Sequence, residues 1–153
     1  MRGDSRLSRM LHVLIHLDRG GGPMTSDVIS AMLSTNPVVV RRTMAGLRDR
    51  GYVLSGKGHG GGWSLARALS DITLFDVWDA IGRPELFCLV ASNDHANCLV
   101  EIAVNEALET ARHQAEALLL ARFAAIRLSD IADDFERKMA ALGLDPAAPF
   151  PAA

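Results

Sequence analysis

The sequence predicts a mainly α-helical chain with one small β-hairpin: a winged helix-turn-helix followed by a long C-terminal helix suited to dimerisation. Three observations predict it. Residues 25–50 hold two short amphipathic segments split by Ser34-Thr35-Asn36-Pro37. A glycine-rich run at 56–62 separates two short β-prone segments. Beyond residue 97, apolar residues recur at helical spacing for roughly 27 residues.

Each element has its own signal. Ser5 is placed to cap a first helix carrying Leu7, Met10, Leu11, Leu14, Ile15 and Leu17, a band broad enough to be buried on two sides. Arg6 and Arg9 on it either reach phosphates or face solvent. Gly20-Gly21-Gly22-Pro23 ends it. Thr25 or Ser26 can cap the second helix, whose apolar face is Val28, Ile29, Met32 and Leu33. Pro37 suits the first position of a third helix, and Asn36 before it is held out of the helical region. Val40, Met44 and Leu47 form that helix's inward stripe, and Gly51 is a left-handed stop. Tyr52-Val53-Leu54 and Trp63-Ser64-Leu65-Ala66 read as paired strands. Thr73 and Asp76 form a capping box for a helix from Leu74 to Ile81, with Trp78 in the core and Gly82 as its end.

A helix pair with a four-residue turn reads DNA when its second helix is exposed and basic. The candidate contacts there are Asn36, Val38, Val39, Arg41 and Arg42, with Thr25 and Ser26 at the preceding helix start. Asn can bond adenine in a bidentate way, Arg can do so with guanine, and Val can meet a thymine methyl. The hairpin tip adds Lys57, Gly58, His59 and Gly60, where positive charge and backbone amides can meet phosphate or the minor groove.

Charge is divided to match. Residues 1–67 hold ten Lys/Arg and four Asp/Glu, a net of +6; residues 68–153 hold six and fourteen, a net of −8; the whole chain is −2. A basic half and an acidic half suit a chain in which one face alone meets phosphate.

Residues 51–67, Gly-Tyr-Val-Leu-Ser-Gly-Lys-Gly-His-Gly-Gly-Gly-Trp-Ser-Leu-Ala-Arg, resemble the wing signature of the Rrf2-type bacterial transcriptional regulators. That signature is a basic residue, Gly, any residue, Gly-Gly-Gly, an aromatic and a Leu-Ala-Arg ending. Ile72-Thr73-Leu74 with Asp76 and Val77 resembles the segment that follows it. The resemblance spans about residues 7–135 and implies a dimeric winged-helix repressor or activator. It also implies a sensing region in the linker, because several members carry an iron–sulfur cluster and others use cysteine chemistry. His59 departs from the proline common in that wing.

The cysteines depart further. Cys88 and Cys98 are the only two, where cluster-binding relatives usually have three in closer spacing. They read as structural thiols, as a redox-responsive pair with His95 nearby, or as part of a cluster completed by His95 or a partner residue such as His12. No cofactor and no metal site is expected. His12 and His16 stand one turn apart, but no acidic or cysteine partner lies near them in sequence.

The expected organisation is a DNA-binding domain at 1–82, a linker or sensing loop at 83–96, a helical dimerisation region at 97–145, and a Pro/Ala tail at 146–153. The linker's Leu86, Phe87, Leu89 and Val90 are too apolar for free solvation, so it is expected to pack down or bridge to a partner. The long helix pairs either with its own copy or with the last helix, from Ser129 to about Leu142. The glycine run leads into a strand and lacks a Gly-Lys-Ser/Thr ending, so it is no phosphate-binding loop. Hence no enzyme is expected. The partners are duplex DNA and a second copy, without a membrane, in the cytoplasm. The alternative is a winged-helix protein-interaction module that binds no DNA.

Overall fold

The computed structural model describes residues 4–92, 94 and 97–145. His95, Ala96 and the tail at 146–153 lie outside them. Helix α1 (Arg6–Arg19) starts where the Asp4 carboxylate accepts from the Arg6 backbone N–H at 2.9 Å. Ser5, expected to cap it, makes no side-chain cap bond; Asp4 reaches the open amide instead. Met10, Val13, Leu14 and Leu17 of α1 are buried.

Helix α2 (Ser26–Met32) is capped by Thr25, whose hydroxyl accepts from the Val28 N–H at 3.2 Å. The turn bends through Ser34, a non-glycine residue at φ 49. Helix α3 (Pro37–Asp49) begins on Pro37, with extended Asn36 before it, and Gly51 at φ 75 ends it as the sequence requires. Strands β1 (Val53–Ser55) and β2 (Trp63–Leu65) pair antiparallel, Val53 opposite Leu65 and Ser55 opposite Trp63. A 3-10 turn (Leu69–Asp71) leads to α4 (Leu74–Ala80), which carries the complete Thr73–Asp76 capping box.

Val13, Leu14, Ile29, Val40, Met44, Leu47, Val53, Ile72 and Val77 build one core beneath the helix pair and hairpin. Two glycines allow the close approaches this needs. A Cβ on Gly46 would stand 2.2 Å from the Ala80 carbonyl oxygen, so α3 and α4 meet backbone to backbone there. A Cβ on Gly62, at φ 149, would stand 2.8 Å from the Met24 carbonyl.

Helix α5 (Leu99–Ala125) runs 27 residues and leans on α4 at one end. Helix α6 (Leu128–Ala141) does not fold back along it. It packs on the 3-10 turn and α1, and its Leu128 is fully buried in the core. Backbone bonds clamp the α5–α6 corner to the head: Leu74 N–H to the Ile126 carbonyl at 3.0 Å, and Leu128 N–H to the Ile72 carbonyl at 2.9 Å. Arg19 of α1 adds an ion pair to Glu136 at 3.0 Å and lies over the Phe135 ring.

No side chain of α5 is buried. Val100, Val104, Leu108 and Leu118, expected to face a neighbour, are exposed, Leu118 at 75%. Leu89 and Val90 of the linker also stand open, Val90 at 85%, so within this chain they do not pack down.

Candidate nucleic-acid interface

The turn of the α2–α3 pair and the hairpin tip carry the candidate residues. On α3, Val38, Val39, Arg41 and Arg42 are all exposed, opposite the buried Val40, Met44 and Leu47. Val38 is 61% exposed and Val39 48%. Arg41, Arg42 and Lys57 enter no ion pair among the described residues. At the other end of α3 the arginines are engaged. Arg48 bonds Asp49 at 2.9 Å, and Arg50 bonds Asp79. Positive charge is therefore left open only toward the N-terminal half of α3.

The start of α3 reinforces this. Its first turn holds no acidic side chain, whereas those of α2, α4, α5 and α6 hold Asp27, Asp76, Glu101 and Asp130. The partial positive charge of the helix end is uncompensated there, which favours an anion.

Three polar candidates have internal partners. Asn36 uses its Oδ1 to accept from the Val38 N–H at 2.7 Å, capping α3. A bidentate bond to adenine needs that oxygen, so the expected adenine reading gives way; Nδ2 keeps its donors. Thr25 Oγ1 accepts from Val28, and Ser26 Oγ accepts from the Trp63 indole N–H at 2.9 Å. Each hydroxyl still has its own hydrogen to donate.

The wing is tied to α2 as well as to itself. Met24 and Trp63 exchange two backbone bonds of 2.9 and 2.8 Å, and Gly56 and Gly62 exchange two of 2.8 and 3.2 Å. Beyond Gly56 and Gly62 the tip turns through Gly58 and Gly60 at φ 78 and 77, leaving Lys57, Gly58, His59 and Gly60 exposed. An open groove of about 510 Å³ between α1, α3 and α4 brings Arg6 beside Val39, Arg42 and Thr43. Arg6 is paired with Asp4, but Arg9, on the same side of α1, enters no ion pair among the described residues.

Sequence reasoning missed two residues that position this face. Gly46 carried no signal, since a lone glycine in a helix has no periodic meaning until α4 is placed against it. Asp79 joins the end of α3 to the linker, accepting from Arg50 and, at 2.6 Å, from Arg83. That link depends on a tertiary contact across 29 residues of chain.

The sensing candidates Cys88 and Cys98 lie beyond this face in sequence. Both are exposed, and neither is in a disulfide. Cys98 precedes α5, and hydrogen bonds from the Glu101 and Val100 backbone N–H groups hold its thiol below the usual range. Among the described residues, no three His, Cys, Asp or Glu side chains gather as a metal site. The donors in this chain therefore do not fit a cluster held by four thiolates.

A helix pair with an exposed basic second helix, flanked by a glycine-tipped hairpin, defines a winged helix-turn-helix regulator. The profile of the Rrf2 family, described as an iron-dependent transcriptional regulator, matches residues 4–134. The chain belongs to the Rrf2 family and is a transcriptional regulator, not an enzyme. It is 29% identical over 130 residues to YwnA of Bacillus subtilis, which carries a provisional name as an HTH-type transcriptional regulator. That match covers 84% of this chain and 95% of YwnA. Among solved structures, a transcriptional-regulator candidate from Lactobacillus plantarum superposes with a TM-score of 0.72 at 22% identity, covering 91% of this chain and 95% of that one. IscR of T. potens does so with a TM-score of 0.63 at 19% identity, covering 90% of each. No helix among the described residues is long and apolar enough to cross a membrane.

Proposed function

We propose that the chain acts as a cytoplasmic homodimer that represses transcription by binding a palindromic duplex site. In this reading residues 1–82 read the DNA, 83–96 link, and 97–145 pair the two copies. The α3 helices enter successive major grooves about 34–36 Å apart. Val38 and Val39 meet thymine methyls, and Arg41 and Arg42 meet guanine edges or phosphates. Asn36, through Nδ2, and Thr25 and Ser26, through their hydroxyl hydrogens, donate to phosphate oxygens. Lys57 and the amides of Gly58, His59 and Gly60 meet backbone or minor groove.

The observation that carries this is the pairing pattern along α3: among the described residues, arginines near its start have no carboxylate, while those at its end do. Pairing through α5 is supported by a 27-residue helix without one buried side chain. Selection of genomic fragments on the purified protein tests the reading. Enriched fragments should share an inverted repeat with half-sites one helical turn, or a multiple of it, apart. Random enrichment that ignores Arg42→Ala would favour a protein-interaction module instead.

Signal input is assigned to the linker and to Cys98, whose thiol is exposed and held toward the thiolate. Cys88 and His95 lie in the same segment. If the unaltered protein binds DNA identically in oxidising and reducing buffer, thiol sensing is excluded; if it does not, Cys88→Ser or Cys98→Ser should remove the difference.

A further inference from the structure

His12 and His16 of α1 lie one helical turn apart, and their Nε2 atoms face each other at 2.8 Å. The ring centroids are 4.5 Å apart and the planes meet at 64°. Burial explains why the half-buried His16 stays where it is. It does not explain why the exposed His12 turns its Nε2 onto that ring rather than into water. Burial first, then the charges of His12 and Arg19, push the His16 pKa down to about 4, so the ring is neutral near pH 7. A hydrogen bond between two imidazole Nε2 atoms needs one ring to donate and the other to accept.

We propose that His12 and His16 form a two-imidazole chelate on α1 for a late first-row divalent cation such as Ni²⁺, Cu²⁺ or Zn²⁺. Imidazole suits these ions, and spacing by four residues puts both nitrogens on one helix face. Metal–nitrogen bonds of about 2.0–2.1 Å in tetrahedral geometry set the nitrogens roughly 3.3 Å apart. The pair needs to open by only a few tenths of an ångström, a small rotation of two side chains. As the ion binds, the proton between the rings must leave, to Nδ1 of its own ring or to water, so that both Nε2 lone pairs face the metal. Arg19, a turn further on, opposes a cation here, but its guanidinium is paired with Glu136 at 3.0 Å. The other coordination positions belong to water or to a second molecule, because no third ligating side chain converges among the described residues.

Isothermal titration of the full-length chain with NiCl₂ tests this. A Cys88→Ser/Cys98→Ser variant runs in parallel, because thiolates also bind nickel. One ion per chain should bind in both. His12→Asn, at an exposed position, should weaken binding at least tenfold and abolish the metal-induced rise in Tm while leaving the metal-free Tm unchanged. His113→Asn should change neither. Unchanged binding in His12→Asn would overturn the proposal, and so would loss of binding with the cysteines alone.

Discussion

The two ends of this chain leave opposite kinds of surface unmet. In the winged helix, apolar side chains are mostly buried, and Arg9, Arg41, Arg42 and Lys57 have no carboxylate partner among the described residues. In α5 and α6 the reverse holds. Arg112 is paired with Glu109 and Glu116, and Arg137 and Lys138 with Asp134, while Leu99, Val100, Val104, Leu108 and Leu118 are open to solvent. Unpaired cations call for a polyanion, and an uncovered apolar stripe calls for another protein surface. The net charge of −2 averages over this division and conceals it.

The largest effect should come from the apolar end. Val104→Asp with Leu108→Asp places two carboxylates on the α5 stripe of each copy. Burial of such side chains is worth about 1.5–3 kcal/mol each, so dimer dissociation should rise by roughly a hundredfold or more. Sedimentation velocity at micromolar concentration should show a monomer, with an unchanged circular dichroism spectrum. A dimer that survives both changes would mean that α5 is covered by something else.

Next comes the packing that holds the charged end in shape. Gly46→Ala drives a methyl to 2.2 Å from the Ala80 carbonyl oxygen, where neither backbone can yield cheaply. A loss of about 1–3 kcal/mol in urea denaturation is expected. Arg42→Ala, by contrast, touches no internal partner. Stability should hold while duplex affinity drops by about tenfold or more, and the dependence of log K on log salt should flatten by about one. Weakened affinity with an unchanged slope would mean that Arg42 reads a base rather than neutralising phosphate.

Much of the fold was legible because local rules dominate it. Pro37, Gly51 and Gly82, and the Thr73–Asp76 box, mark element ends without reference to anything distant. The wing was legible because few residues other than glycine fit its tip. What escaped were contacts across the fold. Ser5 and Asp4 are both sound caps, and only the bend of the chain selects Asp4. Asn36 reads equally well as a cap and as a base-reading amide, and the cap uses the oxygen that adenine would need. The destination of α6 was open, because its apolar stripe matches α5 and α1 alike until Leu128 is seen in the core.

The smallest effect sharpens the comparison at the seam between the two ends. Burial alone would raise the Asp76 pKa, but the Thr73 backbone N–H and hydroxyl and the Tyr52 hydroxyl donate to its carboxylate and hold it below the ordinary 3.8. A carboxylate whose folded pKa lies below its unfolded one stabilises the fold above the unfolded value, and that contribution is lost as pH falls beneath it. Asp76→Ala should therefore cost about 1 kcal/mol at pH 7, typical of a lost cap. The gap from wild type should narrow as melts are repeated at pH 4 and below. Thr73 also carries the backbone bridge to Arg127 at the α5–α6 corner. If the variant also shifts the dimer equilibrium, the capping box couples reading head to pairing helix; if only Tm moves, the two ends are independent.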